Sequence, residues 1–108
     1  MIGLTKSEEI ILLAIWRLND DAYGVKIRKH LLETIDFNIT YGTLYSYLDQ
    51  LVKKEYVEKN SGEPTPERGG RRKIFYKVSA LGINALKKSQ ELQKTLWEGI
   101  GNFAIDSK

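Results

Sequence analysis

The sequence predicts a mainly α-helical α+β fold, in which three helices precede a two-stranded hairpin and a long final helix. One observation predicts the helices and another predicts the hairpin. Apolar residues recur at helical spacing in three segments of residues 4–54 and again after residue 79. Between them, two short segments rich in β-forming residues flank a loop that contains three glycines and two prolines. A chain of 108 residues is long enough for one such domain.

The first helix is expected from about Leu4 to Leu18. Thr5 and Glu8 have the spacing of a capping box, in which each side chain accepts a hydrogen bond from the other residue's amide. The apolar residues that follow leave almost no polar face. We therefore expect this helix to be buried on more than one side, one of which meets another subunit.

Two further helices are expected from Ala22 to Thr34 and from Thr40 to Lys54. Asn19-Asp20-Asp21 is expected to cap the former, and Thr40 or Asn38 the latter. The predicted buried stripes are Tyr23, Ile27, Leu31, Leu32 and Ile35 on the second helix, and Tyr41, Leu44, Tyr45, Leu48, Leu51 and Val52 on the third. The short connection between these helices is typical of a helix-turn-helix.

The hairpin is expected to pair Glu55–Lys59 with Lys73–Val78, and Ser79 is expected to cap a final helix that reaches about Ile100. Three helices followed by a hairpin are the winged form of the helix-turn-helix. We therefore expect residues 1–78 to be a DNA-binding domain and residues 79–108 a C-terminal dimerisation helix, together forming one compact unit.

Positive charge is concentrated in one part of the chain. The net charge is +3, but residues 53–78 alone carry eight basic and four acidic side chains, whereas residues 1–22 have a net charge of −2. A localised positive field is typical of a protein that binds a polyanion. A solvated, lysine-rich surface is the alternative.

The predicted partner is double-stranded DNA. In a helix-turn-helix, the N-terminal residues of the second motif helix reach base edges, and Thr40, Thr43 and Tyr47 are suited to such contacts. Gly42 permits close approach of the backbone, with helix–helix packing as the alternative. The hairpin arginines suit phosphates, with a solvated loop as the alternative. The predicted DNA contacts are Lys26, Asn38, Thr40, Gly42, Thr43, Tyr47, Gln50, Arg68, Arg71, Arg72 and Lys73.

Enzymatic, metal-binding and membrane functions are not indicated. The chain has no cysteine and one histidine, His30, which with Glu33 makes an incomplete metal site. No nucleophile-elbow or phosphate-loop motif occurs, and no cofactor is expected. No signal peptide is evident, and the longest apolar run, Ile10–Trp16, is far shorter than the ~20 residues that span a bilayer. We expect a cytoplasmic protein.

Two segments carry a resemblance to a known family. Tyr41-Gly42-Thr43-Leu44-Tyr45 with Leu48 and Leu51, and the run from Gly69 to Gly82 that includes Arg71-Arg72-Lys73 and Tyr76-Lys77-Val78-Ser79, resemble the PadR family of transcriptional regulators. The resemblance covers residues 4 to about 100. Family members often have proline where this chain has Tyr41, Ser46 and Ala80, a departure that concerns the detailed base contacts.

The resemblance implies a homodimeric repressor that binds a pseudo-palindromic operator. It also implies that the C-terminal helix of one subunit packs against the N-terminal helix of the other, and that a small aromatic effector can bind between subunits. The residues expected at this dimer or ligand interface are Trp16, Leu92, Leu96, Trp97 and Ile100. For the tryptophans, an ordinary place in the dimer core is the alternative.

Two other functions remain open from the residues. Winged helices also serve as protein-interaction modules without DNA binding, although such a module has no need of three arginines in the hairpin loop. RNA binding usually requires stacking aromatics on a larger sheet than two strands provide.

Overall fold

The predicted order of elements is confirmed in the computed structural model, which describes residues 3–61 and 73–100. Helices α1, α2 and α3 are Lys6–Leu18, Gly24–Ile35 and Tyr41–Lys53, strands β1 and β2 are Val57–Ser61 and Ile74–Val78, and helix α4 is Ala80–Trp97. The strands pair antiparallel in one two-stranded sheet. The fold is therefore the mainly helical α+β arrangement that the sequence predicts.

Three helices of the described residues start at a side-chain cap that the sequence predicts. The Thr5 hydroxyl accepts from the Glu8 amide at 3.1 Å, and the Glu8 carboxylate accepts from the Thr5 amide at 2.9 Å, which completes the capping box. The hydroxyls of Thr40 and Ser79 each accept from the amide three residues on, at 3.2 and 3.0 Å. These bonds satisfy amides that have no partner within the helix.

Helix α2 begins differently, and the prediction that Asn19-Asp20-Asp21 caps it is wrong. Those residues form a 3₁₀ turn, and Tyr23 precedes the helix without a side-chain hydrogen bond to it. The reason is that Tyr23 has an extended backbone and forms a β-bridge with Phe75. The connection between α1 and α2 is thus drawn to the sheet before the helix starts.

The core lies where α1, α2, α3 and the sheet meet. Leu44, Leu48 and Leu51 of α3 share one helix face and are fully buried. Each fully buried aliphatic side chain contributes about 1.5–3 kcal/mol to folding. The buried cluster comprises Ile11, Leu12, Ala14, Ile15, Ala22, Ile27, Leu31, Ile39, Leu44, Leu48, Leu51, Val57, Tyr76 and Val78.

Four residues that were predicted to be buried are exposed, so the predicted stripes are too wide. On α2, Leu32 lies off the face centred on Ile27, and Ile35 borders an open groove toward α1. On α3, Tyr41 and Tyr45 are 42% and 41% exposed. Their rings stack on each other outside the core.

Strand β2 of the hairpin is fastened to the helical part of the fold. Phe75 bridges Tyr23, and the Tyr76 amide donates to the Ala22 carbonyl at 2.8 Å. The register of the strands runs from the pair Val57 and Val78 to the pair Ser61 and Ile74. Strand β2 is thus held by the α1–α2 connection as well as by β1.

Helix α4 contacts the rest of the chain mainly through its first half. Gly82 is its one buried residue, and Ile83 and Leu86 pack partly against the core. The Ser89 hydroxyl donates to the Glu9 carboxylate of α1 at 2.9 Å. Beyond that point, Leu92 and the apolar residues after it are exposed.

Candidate nucleic-acid interface

Helix α3 has a polar face opposite its buried leucines. The predicted contact residues Gly42, Thr43 and Gln50 are exposed on this helix. Asp49 and Lys53 are exposed there too, and the sequence interpretation omitted both. Helical spacing would have identified them, because both positions lie away from the leucine stripe. A helix with side chains is ~10–12 Å across and fits the ~12 Å width of the DNA major groove.

The first turn of α3 carries two hydroxyls in a defined arrangement. The Thr40 hydroxyl accepts from the Thr43 amide at 3.2 Å and donates to the Thr43 hydroxyl oxygen at 3.0 Å. The two hydroxyls thus form one hydrogen-bonded pair in the first turn. Both residues are exposed, so the pair is accessible to another molecule.

Gly42 lies on the open side of the same turn. A Cβ built on this glycine meets no atom within 4 Å. Packing within this chain therefore does not require glycine here, although glycine costs a helix about 1 kcal/mol relative to alanine.

Arg28 of α2 contacts both the connection between α2 and α3 and the first residue of α3. The sequence analysis did not identify it as a site residue. Its Nε donates to the Ile39 carbonyl at 2.7 Å, and its Nη2 donates to the Asn38 side-chain oxygen at 3.3 Å. Its guanidinium also lies over the Tyr41 ring, 4.8 Å from the centroid. Helical spacing marks Arg28 only as a polar position, because its partners lie 10 and 11 residues further along the chain.

Three more of the predicted contact residues also contact their own chain. Asn38 accepts from Arg28, and the Lys26 ammonium lies 3.1 Å from an Asp21 carboxylate oxygen. The hydrogen bond and charge of Asp21 raise the pKa of Lys26 above its ordinary value. Tyr47 is half-buried and packs against the core, unlike the other positions predicted on α3.

One lysine next to the hairpin strands, Lys73, contacts the residue that precedes α2. The Lys73 ammonium lies 4.4 Å from the centroid of the Tyr23 ring, and Tyr23 in turn meets Phe75 edge-on at 5.4 Å. This cation–π contact places Lys73, which precedes β2 at the loop end of the two strands, next to Tyr23 and the start of α2. Arg68, Arg71 and Arg72 lie outside the described residues.

A second surface, on α1 and α4, has the opposite chemistry. Trp16, Leu92, Leu96, Trp97 and Ile100 are all exposed, by 49–60%. Trp16 lines a groove of ≈ 460 Å³ between the two helices, together with Leu13 and Leu86. Trp97 does not line this groove, so a single chain does not bring the two tryptophans into one site.

Residues 11–88 match the transcriptional regulator PadR-like family. The chain belongs to this family. The resemblance carried by the segments around Tyr41-Gly42-Thr43 and Tyr76-Lys77-Val78-Ser79 is therefore confirmed. Among proteins with curated descriptions, none matches this PadR-like chain.

Solved structures of similar proteins agree with the fold. A PadR-like transcription factor from Bacteroides fragilis is 25% identical, with a TM-score of 0.76 over 90% of this chain and 88% of that one. A transcriptional regulator from Clostridium thermocellum is 28% identical, with a TM-score of 0.70 over 89% and 90%. A winged-helix DNA-binding protein from STIV is 17% identical, with a TM-score of 0.68 over 91% and 98%, and it supports the winged-helix fold alone.

An ion pair fastens α3 of the PadR-like chain to α1. The Lys54 ammonium donates to the buried Glu8 carboxylate at 2.7 Å. Burial by itself raises the pKa of Glu8, but the hydrogen bond and charge of Lys54 and the hydrogen bond from the Thr5 amide outweigh it, so the net pKa lies below its ordinary value. The end of α3 opposite its exposed first turn is therefore firmly held.

Within residues 3–61 and 73–100, no three His, Cys, Asp or Glu side chains come together as a metal site. His30 contacts the Thr34 hydroxyl, with 3.5 Å between Nδ1 and Oγ1. Over the same residues, no helix has the length and apolar character that crossing a membrane requires.

Proposed function

We propose that this PadR-like regulator is a repressor that binds a pseudo-palindromic DNA operator as a homodimer, with α3 of each subunit in the major groove. The observation that carries the proposal is the open first turn of α3. Thr40 and Thr43 expose hydroxyls there, and Gly42 leaves room for the duplex to approach the backbone. A recognition helix requires these features when its N-terminal residues enter the major groove.

Different residues are proposed to contact the bases and the phosphates. The Thr43 hydroxyl can donate to a base or phosphate acceptor, and the exposed Gln50 has the side-chain type that pairs with adenine. Asp49 can accept from the amino group of cytosine. Phosphate contacts come from the cations, which fix register without carrying sequence information. We propose Lys26, Arg68, Arg71, Arg72 and Lys73 for that role, with Asn38 and Tyr47 at the edge of the interface.

The apolar surface of α1 and α4 supports a homodimer. Leu92, Leu96 and Trp97 are exposed on the second half of α4, Ile100 is exposed just after this helix, and Trp16 is exposed on α1. Burying them against a second copy removes apolar area from water. A two-fold axis then lets the two α3 helices reach half-sites about 34 Å apart, one turn of DNA. In this proposal residues 1–78 bind DNA and residues 79–108 mediate dimerisation.

We also propose that a small planar aromatic effector binds beside Trp16 and releases the operator. The groove of ≈ 460 Å³ falls within the ~300–1,000 Å³ of small-molecule sites. Leu13, Trp16 and Leu86 make its lining largely apolar. The second subunit of a dimer is needed to bring Trp97 to this region.

In vitro selection from random duplexes, read by sequencing, tests the proposal. A two-fold symmetric motif is expected. The protein-interaction alternative predicts no enrichment and no duplex affinity even in dilute salt.

With the selected operator, Thr43→Ala should reduce the affinity ratio of operator to random duplex, whereas the matched control Thr34→Ala on α2 should leave it unchanged. Arg71→Ala with Arg72→Ala should weaken binding to all duplexes and flatten the dependence of log K on log salt.

The effector is tested by fluorescence quenching of the dimer with planar aromatic compounds. Quenching that disappears in Trp16→Phe places the compound in the groove. Quenching that lowers operator affinity supports release. Quenching that is unchanged in Trp16→Phe assigns binding elsewhere.

A further inference from the structure

The first turn of α3 lies outside the core that holds the rest of that helix. Its four residues, Thr40 to Thr43, are all exposed. The buried leucines begin only at Leu44. Immediately before the turn, the Ile39 side chain is buried, 5% exposed. The direction of this turn therefore depends on what holds the α2–α3 connection.

Arg28 holds that connection through three contacts of one guanidinium. It donates to the Ile39 carbonyl at 2.7 Å and to the Asn38 side chain at 3.3 Å, and it covers the Tyr41 ring at 4.8 Å. Asn38 and Ile39 are the two residues before the Thr40 cap, and Tyr41 is the residue after it. One side chain of α2 thus contacts the chain on both sides of the start of α3.

A second contact between α2 and α3 lies one helical turn away from Arg28 and Tyr41. Tyr41 stacks on Tyr45, with 6.4 Å between centroids and 24° between planes. The Tyr45 hydroxyl fills the space beside Gly24, where a Cβ would overlap it. Arg28 and Gly24 on α2 are four residues apart, as are Tyr41 and Tyr45 on α3. The two helices are therefore held in register by a surface column of one cation and two aromatic rings.

We propose that Arg28 is a positioning residue for DNA recognition, which fixes the direction in which the first turn of α3 meets the duplex. The inference rests on the proposed function, because it concerns how the same surface reads a sequence. Arginine is required for its shape: Nε and Nη2 donate to two acceptors while the flat guanidinium covers a ring. A lysine ammonium retains the charge but cannot make this set of contacts.

The experiment measures the affinity ratio of the selected operator to random duplex for Arg28→Lys, Arg28→Met and the matched control Lys29→Met, together with the slope of log K against log salt. Both Arg28 variants are expected to lose about tenfold in the ratio, and Arg28→Lys is expected to keep the salt slope. Lys29→Met, one position along the same helix, should keep the ratio.

Amide hydrogen exchange of the DNA-free protein provides a readout that loss of overall stability does not mimic. In Arg28→Met, the Thr43 amide should exchange faster while the Leu48 amide, in the core-facing part of α3, stays protected. Equal acceleration at both amides would assign Arg28 a general structural role and overturn the inference.

The outcomes separate the inference from the proposed function. If the parent protein does not prefer any duplex, the proposed function fails, and positioning for DNA recognition fails with it. If the parent protein discriminates and Arg28→Lys discriminates equally, only the positioning role is overturned. A fall of about one in the salt slope of Arg28→Met, with full retention of affinity in Arg28→Lys, would instead make Arg28 a direct phosphate contact.

Discussion

Helices α3 and α4 begin alike and end in opposite surroundings. Each starts at a hydroxyl cap and has a glycine in its first turn, Gly42 in α3 and Gly82 in α4. A Cβ on Gly42 would meet nothing within 4 Å, whereas a Cβ on Gly82 would overlap the Tyr56 carbonyl oxygen and lie 2.9 Å from a Val78 methyl carbon. The first turn of α3 is open, and the first turn of α4 is closed against the hairpin.

In their later turns, α3 is the buried helix and α4 is the exposed one. Helix α3 buries Leu44, Leu48 and Leu51, whereas α4 leaves Leu92 and Leu96 exposed. Helix α3 is therefore held by its later turns and presents its polar start, while α4 is held by its start and presents its apolar later turns. The difference shows how one small fold offers two outward surfaces of opposite chemistry, a polar one that we propose for DNA and an apolar one that we propose for a second copy.

The largest expected effect concerns the exposed half of α4. Leu92→Asp combined with Leu96→Asp should convert the dimer to monomer, because burial of each leucine contributes about 2 kcal/mol and a buried carboxylate opposes association. Light scattering across a concentration series measures the change. Val25→Asp, at an exposed apolar position of α2, is the matched control and should leave the mass unchanged. A parent protein that is monomeric at micromolar concentration would remove α4 as a dimer surface.

The next effect tests how firmly the far end of α3 is held. Lys54→Met should lower the free energy of unfolding by about 3 kcal/mol, because it leaves the buried Glu8 carboxylate without its cation. Urea denaturation at pH 7 measures this loss. The matched control is Ser89→Ala, which removes the hydrogen bond of α4 to the neighbouring Glu9 and should cost at most about 1 kcal/mol. Equal effects of the two substitutions would contradict the view that α3 is the more firmly held helix.

The same pair predicts a pH dependence with a defined sign. In the parent protein the pKa of Glu8 lies below its ordinary value of 4.5, so its contribution to stability is present above that value and is lost as pH falls through the folded-state pKa. In Lys54→Met, burial remains without the cation, and the pKa of Glu8 should rise. The destabilisation caused by Lys54→Met should therefore shrink as the pH is lowered from 7 to 4. A difference that stays constant over this range would indicate that Glu8 is not a buried charge.

A smaller effect is expected at the closed first turn. Gly82→Ala should reduce the free energy of unfolding by about 2 kcal/mol, since overpacking typically costs about 1–3 kcal/mol and the opposing group is backbone that cannot rotate away. The midpoint and slope of urea denaturation measure it. An unchanged midpoint would show that α4 does not pack as closely on the hairpin as Tyr56 and Val78 indicate.

The smallest expected effect on stability has the opposite sign. Gly42→Ala should stabilise the DNA-free protein by up to about 1 kcal/mol, because alanine is the better helix former and the added methyl group meets no atom of the chain. Operator affinity should fall, since the methyl group occupies the space proposed for the duplex. Stabilisation without any loss of affinity would separate Gly42 from DNA binding.

Local patterns in the chain predicted most of the helix boundaries. Thr5 and Ser79 were correctly predicted as caps, and Thr40 was one of two candidates with Asn38, because capping depends on residues at most three positions apart. The cap of α2 was predicted wrongly, because a bridge between Tyr23 and a strand some fifty residues away takes precedence over local turn chemistry. Tyr41 and Tyr45 were placed in the core because helical spacing does not distinguish a buried ring from one that stacks on a neighbouring surface residue.

The same distinction between local patterns and tertiary contacts applies to the candidate site. Thr43, Gly42 and Gln50 follow from the order of elements and from helical spacing, and the structure leaves all three exposed. Lys26 and Asn38 were also predicted as contacts, and the structure gives each an intramolecular partner. Arg28 was missed because its role arises only when α2 and α3 lie side by side.

The amino-acid sequence by itself determined the number and order of the elements, the caps of three helices and the family, since these depend on spacing along the chain. The tertiary structure alone decided which of two similar glycines is open, which tyrosines leave the core and which arginine holds the first turn of α3. The physical reason is that such properties depend on contacts between segments distant in sequence, whose geometry no local pattern encodes.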